Sequence, residues 1–321
     1  MVAWACVKFS FRFQSMNPSP SNERVVAVVV AYNRREMLRL CLACLLEQTR
    51  PLDAIIVVDN ASTDGTREML TREFPGVQTL FLTHNSGGAG GFHAGMKRAL
   101  EEGFEWLWIM DDDVRPAPDA WERVWQKREP NSVLVPMQQD DFGRLYGLHL
   151  WNGRGIEVTQ EIVEGQRPVD GEYLFAFAGP VLSREVVQKV GLPREDFFIW
   201  FDDWQYSLRV LAAGGRVIAV TEAILKHDVG GKPQPKRFFG RTITRISPAP
   251  WKLYYGARNM LFVLLHEGRP RRELLPFFAS QGVNLFKDIV CEPDRRRRVQ
   301  MRLRGLRDGA RGRLGKRVKP G

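Results

Sequence analysis

The stretch that most limits how this chain can fold is Trp106-Leu-Trp-Ile-Met-Asp111-Asp112-Asp113, an apolar run of strand length that stops in three consecutive carboxylates. A strand buried on both faces reads as continuous hydrophobic sequence rather than as alternation. In open α/β sheets, ligands gather just outside the carboxyl ends of the strands. Three adjacent acids repel one another, so a cation is expected beside them. A hard divalent ion, Mg²⁺ or Mn²⁺, takes oxygen ligands and commonly shares them with phosphates. A turn or helix cap is the competing explanation, since Asp suits both and Pro116 and Pro118 follow. The triplet alone leaves cap and metal site even.

Other apolar runs repeat the pattern. Val25–Ala31, Ala54–Val58 and Val77–Leu82 read as strands, and the segments between them carry helical periodicity, Glu36–Gln48 being the clearest. Strands alternating with helices predict a parallel α/β sheet. Polar residues stand at each strand end: Asn33, Asp59-Asn60, Asn85 and the acidic triplet, all expected along one edge of the sheet. The segment Asn85-Ser-Gly-Gly-Ala-Gly-Gly-Phe92 suggests backbone that comes close to a ligand, with Gly88, Gly90 and Gly91 beside phosphate or sugar. A dinucleotide fold is the rival, but His93 stands where the third glycine of GxGxxG belongs, and the loop follows the third strand.

Further on, Val133–Met137 reads as a strand, Phe142–Glu164 as hairpins or loops, and Arg184–Val190 as a helix. A second acidic stretch, Trp200-Phe201-Asp202-Asp203-Trp204, leads into a helix ended by Gly214-Gly215, then a strand at Val217–Val220 and His227. Trp200, Phe201 and Trp204 could form a platform for sugar faces, whereas Phe197 and Phe198 read as core. After Asp228, residues 230–237 read as a loop beside the site, Trp251–Leu265 and Leu274–Val290 as amphipathic helices.

Composition bounds the remainder. With 44% hydrophobic residues the chain has a real core, yet no apolar run nears the ~18–20 residues that span a bilayer. Met1–Ser15 lacks the pattern of a signal peptide, and Met16 is a second candidate start. Cys41 and Cys44 sit inside a helical pattern with no partner pair at zinc spacing, so they read as half-buried thiols in a reducing compartment. The net charge of +10 is uneven: from Arg295 onward there are twelve basic residues and one acid, Asp308. That basic helix can stay solvated, hold anionic lipid headgroups or bind nucleic acid. Nucleic acid is disfavoured, because basic residues interleaved with aromatics are not seen on the body of the chain.

A strand ending in Asp111-Asp112-Asp113, an upstream Val58-Asp59-Asn60, a later Trp200-Phe-Asp202-Asp203 before a helix, and then His227 resemble the family 2 glycosyltransferases. The Asn85–Phe92 loop is most similar to bacterial galactofuranosyltransferases and, less so, rhamnosyltransferases. The resemblance implies an α/β GT-A fold, a mostly parallel sheet flanked by helices, with a C-terminal helical region. It implies a catalytic domain at 24–228 after an N-terminal extension at 1–23, acceptor-side elements at 229–294 and a basic tail at 295–321. It implies a nucleotide-sugar site at Asn33, Asp59 (toward the pyrimidine), Asn85, Gly88, Gly90, Gly91, Asp111 and Asp112 (toward the sugar). Asp111, Asp113 and His227 are the implied ligands of Mn²⁺ or Mg²⁺, Asp203 the catalytic base, and Trp200, Asp202 and Trp204 the acceptor side. The expected reaction is inverting transfer of galactofuranose from UDP-galactofuranose, or of rhamnose from dTDP-rhamnose, to a cell-envelope glycan or lipid-linked acceptor. The expected place is the cytoplasmic face of the plasma membrane, held by the basic tail. Two departures stand out: Gln205 where the family usually carries an acid, and Ala31 where Thr is frequent. The chemistry agrees with these roles. A departing diphosphate calls for a cation, an attacking hydroxyl calls for a carboxylate base, and Asp202 beside Asp203 raises that base's affinity for a proton. A basic nucleic-acid-binding protein and a non-catalytic sugar-binding module are the non-enzyme alternatives.

Overall fold

The computed structural model describes residues 23–140, 143–151, 156–158, 172–227, 234–238 and 241–320. The N-terminal extension, including Met16, lies outside the described residues, as do 230–233 of the expected loop and 142, 152–155 and 159–164 of the region expected as hairpins or loops, where Leu148–Trp151 pairs antiparallel with Ile156–Val158.

The predicted strands form the centre. β1 (Val25–Ala31), β2 (Ala54–Asp59), β3 (Gln78–Phe81) and β4 (Trp106–Asp111) pair in parallel in the order β3-β2-β1-β4. Every residue of β1 is buried, and successive side chains leave opposite faces. Val25, Ala27, Val29 and Ala31 join the core beneath α1 (Arg35–Leu46), α2 (Thr66–Glu73) and α4 (Ala120–Gln126). Val26, Val28 and Val30 join the core beneath α3 (Gly87–Glu101), α5 (Arg184–Val190) and α6 (Asp202–Ala212). This sandwiching is why the strands read as unbroken apolar runs.

The sheet continues through β7 (Val181–Ser183), antiparallel to β4 and to β6 (Ser132–Gln139). β8 (Arg216–His227) lies parallel to β6 and is longer than the expected Val217–Val220 strand. A register shift between Val220 and Ile224 lets its far end pair with β5 (Val114–Pro116), setting His227 opposite Val114. A chain turn after the acidic triplet and a strand more than a hundred residues later thus meet by register.

Gln234–Phe238 and Arg241–Arg245 pair as an antiparallel hairpin where the sequence suggested only a loop. Three helices complete the chain: α7 (Pro250–His266), α8 (Leu274–Cys291) and α9 (Arg295–Ala310). The segment expected as a basic tail is packed. A Cβ on Gly305 or Gly309 would lie 2.4 Å from the carbonyl oxygens of Tyr254 or Arg258, so α9 runs against the backbone of α7. Arg298 and Arg302 are buried, with Arg302 Nε donating to Asp288 at 2.6 Å and Arg298 Nε to Asp294 at 2.6 Å. The chain then returns to the sheet edge: Gly315 N–H donates to Asp196 O and Lys316 Nζ to Asn85 O.

Candidate active site

A cleft of about 930 Å³ runs along the carboxyl ends of β1, β2 and β4 and under the C-terminal helices. It is lined by the acidic triplet, Asn85, Gly88, Trp200, Asp202, Asp203, Trp204 and His227. Register explains the convergence on the strand side: Ala31 aligns with Asp59, and Val30 with Asp111.

Around the triplet, Arg34 fills part of the role expected of a cation. Its Nη1 lies 2.5 Å from Asp113 Oδ2 and 3.3 Å from Asp112 Oδ1. Burial pushes Asp112 up to about 7, against the pull of Arg34. Burial pushes Asp111 well above the usual carboxylate range, and the charges of Asp113 and Asp112 add to it. Burial acts in the same sense on Asp113, but His227 and Arg34 more than offset it and hold that carboxyl low. His227 Nε2 faces Asp113 Oδ1 at 3.4 Å, while its Nδ1 lies 2.8 Å from Gln138 Oε1 and 3.3 Å from the Tyr146 hydroxyl. Gln138 and Tyr146 therefore orient the ring.

Among the described residues, no group of three or more His, Cys, Asp or Glu side chains is gathered into a ready cage. Two of the three expected ligands do meet, and Asp113 Oδ1 is buried with no hydrogen-bond partner. An acceptor oxygen left open beside an imidazole, with further carboxylates adjacent, fits a divalent ion.

Across the cleft, Asp202 and Asp203 open α6, in the turn where acids suit the helix dipole. Burial raises Asp202 to about 6. Burial, with Asp202's charge beside it, raises Asp203 to about 8. The preceding loop is strained: Phe198, Trp200 and Phe201 all have φ between 64° and 68°. It is held from α7, where Asn259 Nδ2 donates to the carbonyls of Phe197, Ile199 and Trp200 at 3.0, 3.0 and 2.7 Å. Arg258, fully buried, donates to Phe197 O at 2.7 Å and to Gly315 O at 2.5 Å, and its Nε bonds Asn259 Oδ1. Phe197 and Phe198 are core, as read.

The glycine loop is the first turns of α3. Gly87, at φ +77°, sits where a Cβ would be 1.9 Å from Phe198 O, so the loop and the strained segment touch through backbone. Gly88 lines the cleft with open space above it. Gly90 packs on Ser86, and Gly91 lies where a Cβ would be 2.4 Å from Val30 Cγ1; neither is a lining residue. Their smallness brings α3 close to the sheet. Asn33 and Asp59 also lie off the cleft wall: Asn33 Oδ1 accepts from Thr63 N–H, and Asp59 Oδ1 from Ser62 N–H, while its buried Oδ2 has no partner. Gln205 turns away from the cleft, its amide donating to Glu267 Oε2 at 2.8 Å. Cys41 is fully buried, more so than read, and burial raises its thiol well above the usual range.

Residues that motif reading missed are Arg34, Gln138, Tyr146, Lys252, Arg258 and Asn259; Asn60, read as a strand-end residue, accepts from Ser86 N–H and donates to Gly87 O, and so shapes the loop. A cation at a strand end facing acids was a findable signal for Arg34; the others have none.

The family model described as Glycosyl transferase family 2 matches residues 26–168. The chain is 31% identical over 264 residues to a Galactofuranosyltransferase GlfT1 of Mycobacterium tuberculosis, covering 77% of this chain and 84% of that one. It is 28% identical over 275 residues to the GlfT1 of Mycolicibacterium smegmatis, covering 79% and 86%. It is 26% identical over 246 residues to a dTDP-rhamnosyl transferase RfbF of Shigella flexneri, covering 76% and 80%. Among solved structures, GalNAc-T7 with UDP, GalNAc and Mn²⁺ superposes with a TM-score of 0.55 at 15% identity, over 75% of this chain and 47% of that one. That likeness bears on the fold alone, which is GT-A-like. The chain belongs to glycosyltransferase family 2 and is a glycosyltransferase.

Proposed function

We propose that this enzyme transfers galactofuranose from UDP-galactofuranose to a cell-envelope glycan or lipid-linked acceptor, with inversion and with Mn²⁺ or Mg²⁺ bound. The observation that carries the reading is a single cleft with Asp113 and His227 on one wall and the Asp202–Asp203 pair on the other. Likeness to the two GlfT1 proteins supports the donor, and RfbF keeps a dTDP-rhamnose donor as the second reading.

Asp113 and His227, with Asp111 beside them, would hold the ion, which when bound neutralises the charge of the departing diphosphate. Arg34 and Lys252 both line the cleft and present two cations to phosphate oxygens. Asp112 and Asn85 face the donor sugar, and Asp59, buried behind the cleft wall, approaches the pyrimidine. Gly88 lets the donor come close to the backbone. Asp203 takes the proton of the attacking acceptor hydroxyl as that oxygen displaces the diphosphate from the opposite face. Asp202 keeps the base's proton affinity high, and Trp200 and Trp204 flank the acceptor. The site faces the cytoplasm at the plasma membrane in this reading.

The test is a donor screen with purified enzyme and Mn²⁺ across UDP-galactofuranose, UDP-hexopyranoses and dTDP-rhamnose. UDP-galactofuranose should be turned over fastest, and chelator should stop it. Preference for dTDP-rhamnose would establish the second reading.

A further inference from the structure

The C-terminal helix α8 has two different faces. Gln281, Asn284 and Lys287 line the cleft, and Phe277 and Asp288 are buried. The other side is apolar and open: Leu275 is 78% exposed, Val283 54%, Phe278 48% and Ile289 43%. At 100° per residue these side chains and Val290 fall within about 140° of arc, with Ala279 and Gly282 between them. The helix's two charged residues, Lys287 and Asp288, lie off this stripe. Soluble chains rarely leave an unbroken apolar strip of this length exposed.

Charge frames the stripe at both ends. Arg271 and Arg272 precede it and Arg295, Arg296 and Arg297 follow it; all five are exposed, and none is ion-paired among the described residues. The other four arginines of the last helix are ion-paired: Arg298 and Arg302 are buried against Asp294 and Asp288, and Arg304 and Arg307 pair with Asp308. An apolar helical face flanked by unpaired arginines is the pattern of a helix lying in the plane of an anionic bilayer. A second copy of the chain fits less well, since apposing two stripes would bring like-charged arginines together. Among the described residues no helix is long and apolar enough to cross a membrane.

We propose that the Leu275–Val290 stripe docks α8 on an anionic lipid surface, with the five arginines at the headgroups. Because the opposite side of the same helix lines the cleft, the acceptor end of the cleft then opens one helix diameter from the lipid. Only this benefit rests on the proposed acceptor reading; the contact does not.

The experiment is co-sedimentation of the full chain with phosphatidylcholine–phosphatidylglycerol vesicles and with pure phosphatidylcholine vesicles, at low and high salt. Val283→Glu/Ile289→Glu should lower binding to the anionic vesicles about tenfold or more, and Arg295→Glu/Arg296→Glu/Arg297→Glu should do likewise. High salt should weaken the wild type, because headgroup attraction is screened. Both variants should keep wild-type melting temperatures and donor hydrolysis, since the stripe faces away from the cleft. Wild-type binding by the Val283→Glu/Ile289→Glu protein would overturn the proposal, as would equal binding to neutral vesicles. A wild-type dimer dissociated by those substitutions, with no vesicle binding, would assign the face to a second copy instead. A failed donor screen with intact vesicle binding would count against the proposed reaction alone.

Discussion

Replacing Asn259 with Ala tests whether the loop carrying Asp203 is held in place from outside the cleft. The amide donates to three carbonyls of Phe197–Trp200. Phe197 O keeps its bond from Arg258 at 2.7 Å, so Ile199 O and Trp200 O are the groups left without this donor. At about 1 kcal/mol net per hydrogen bond, the loss is about 2–3 kcal/mol. The loop itself stores strain of similar size, about 1 kcal/mol or more for each of Phe198, Trp200 and Phe201 in the left-handed region. The clamp and the strain nearly balance, so the loop should relax locally while the sheet stays folded. A shift of about 1 Å in a catalytic group costs on the order of 10²-fold. Asn259→Ala should therefore lower kcat by roughly that factor with donor affinity unchanged, alongside a stability loss well below about 2–3 kcal/mol, because the relaxed loop gives back its strain. Asn259→Asp, which keeps the shape but faces carbonyls with an acceptor, should be no better. The assays are nucleotide-sugar turnover, donor titration and denaturant unfolding. Wild-type kcat in a protein destabilised by the expected amount would refute the positioning role.

Asp113→Ala should abolish turnover and remove Mn²⁺ binding, measured by calorimetry with UDP present, with little change in melting temperature. Turnover that persists in chelator would end the metal reading. The raised proton affinity of Asp203 predicts that kcat climbs with pH toward about 8, and Asp202→Asn should move that limb to lower pH by removing the neighbouring charge. The same shift has a stability consequence. A folded-state value above the unfolded one stabilises the fold fully below about pH 4, and that contribution is lost as pH rises through about 8. Asp203→Asn should thus melt higher than wild type at pH 9 and much less so at pH 4. Gly309→Ala gains about 1 kcal/mol of helix propensity but forces α9 off the Arg258 carbonyl, a misfit of about 1–3 kcal/mol; a net loss is expected in denaturant unfolding.

How far the sequence carried depended on whether a residue's partner was local. β1, β2 and β4 were legible because helices cover both faces, leaving no polar position to interrupt the runs. The polar strand ends were legible for the same reason. Their roles in the wall were not: Gly90 and Gly91 looked like ligand contacts, but they let α3 approach Val30 and Ser86. In the Gln234–Phe238 and Arg241–Arg245 hairpin the packed side chains include Lys236 and Arg245, ion-paired to Glu292 and Asp288, so polar residues stand on both faces and there is no period-2 apolar signal. The basic stretch after Arg295 looked detached because charge was counted along the chain. Asp288, which pairs with Arg302, belongs to the preceding helix, and Gly305 and Gly309 mark a close helix crossing only once α7 is known. Arg258 and Asn259 bond mainly backbone carbonyls, and a carbonyl leaves no trace in sequence.

In the proposed sugar transfer, Asp203 deprotonates the acceptor. Asp203→Asn nearly preserves shape but cannot take the proton. With UDP-galactofuranose, acceptor and Mn²⁺, its rate should fall about 10²- to 10⁴-fold while UDP-galactofuranose binding is retained. Turnover at the wild-type rate would rule out Asp203 as the base and move that role elsewhere in the cleft.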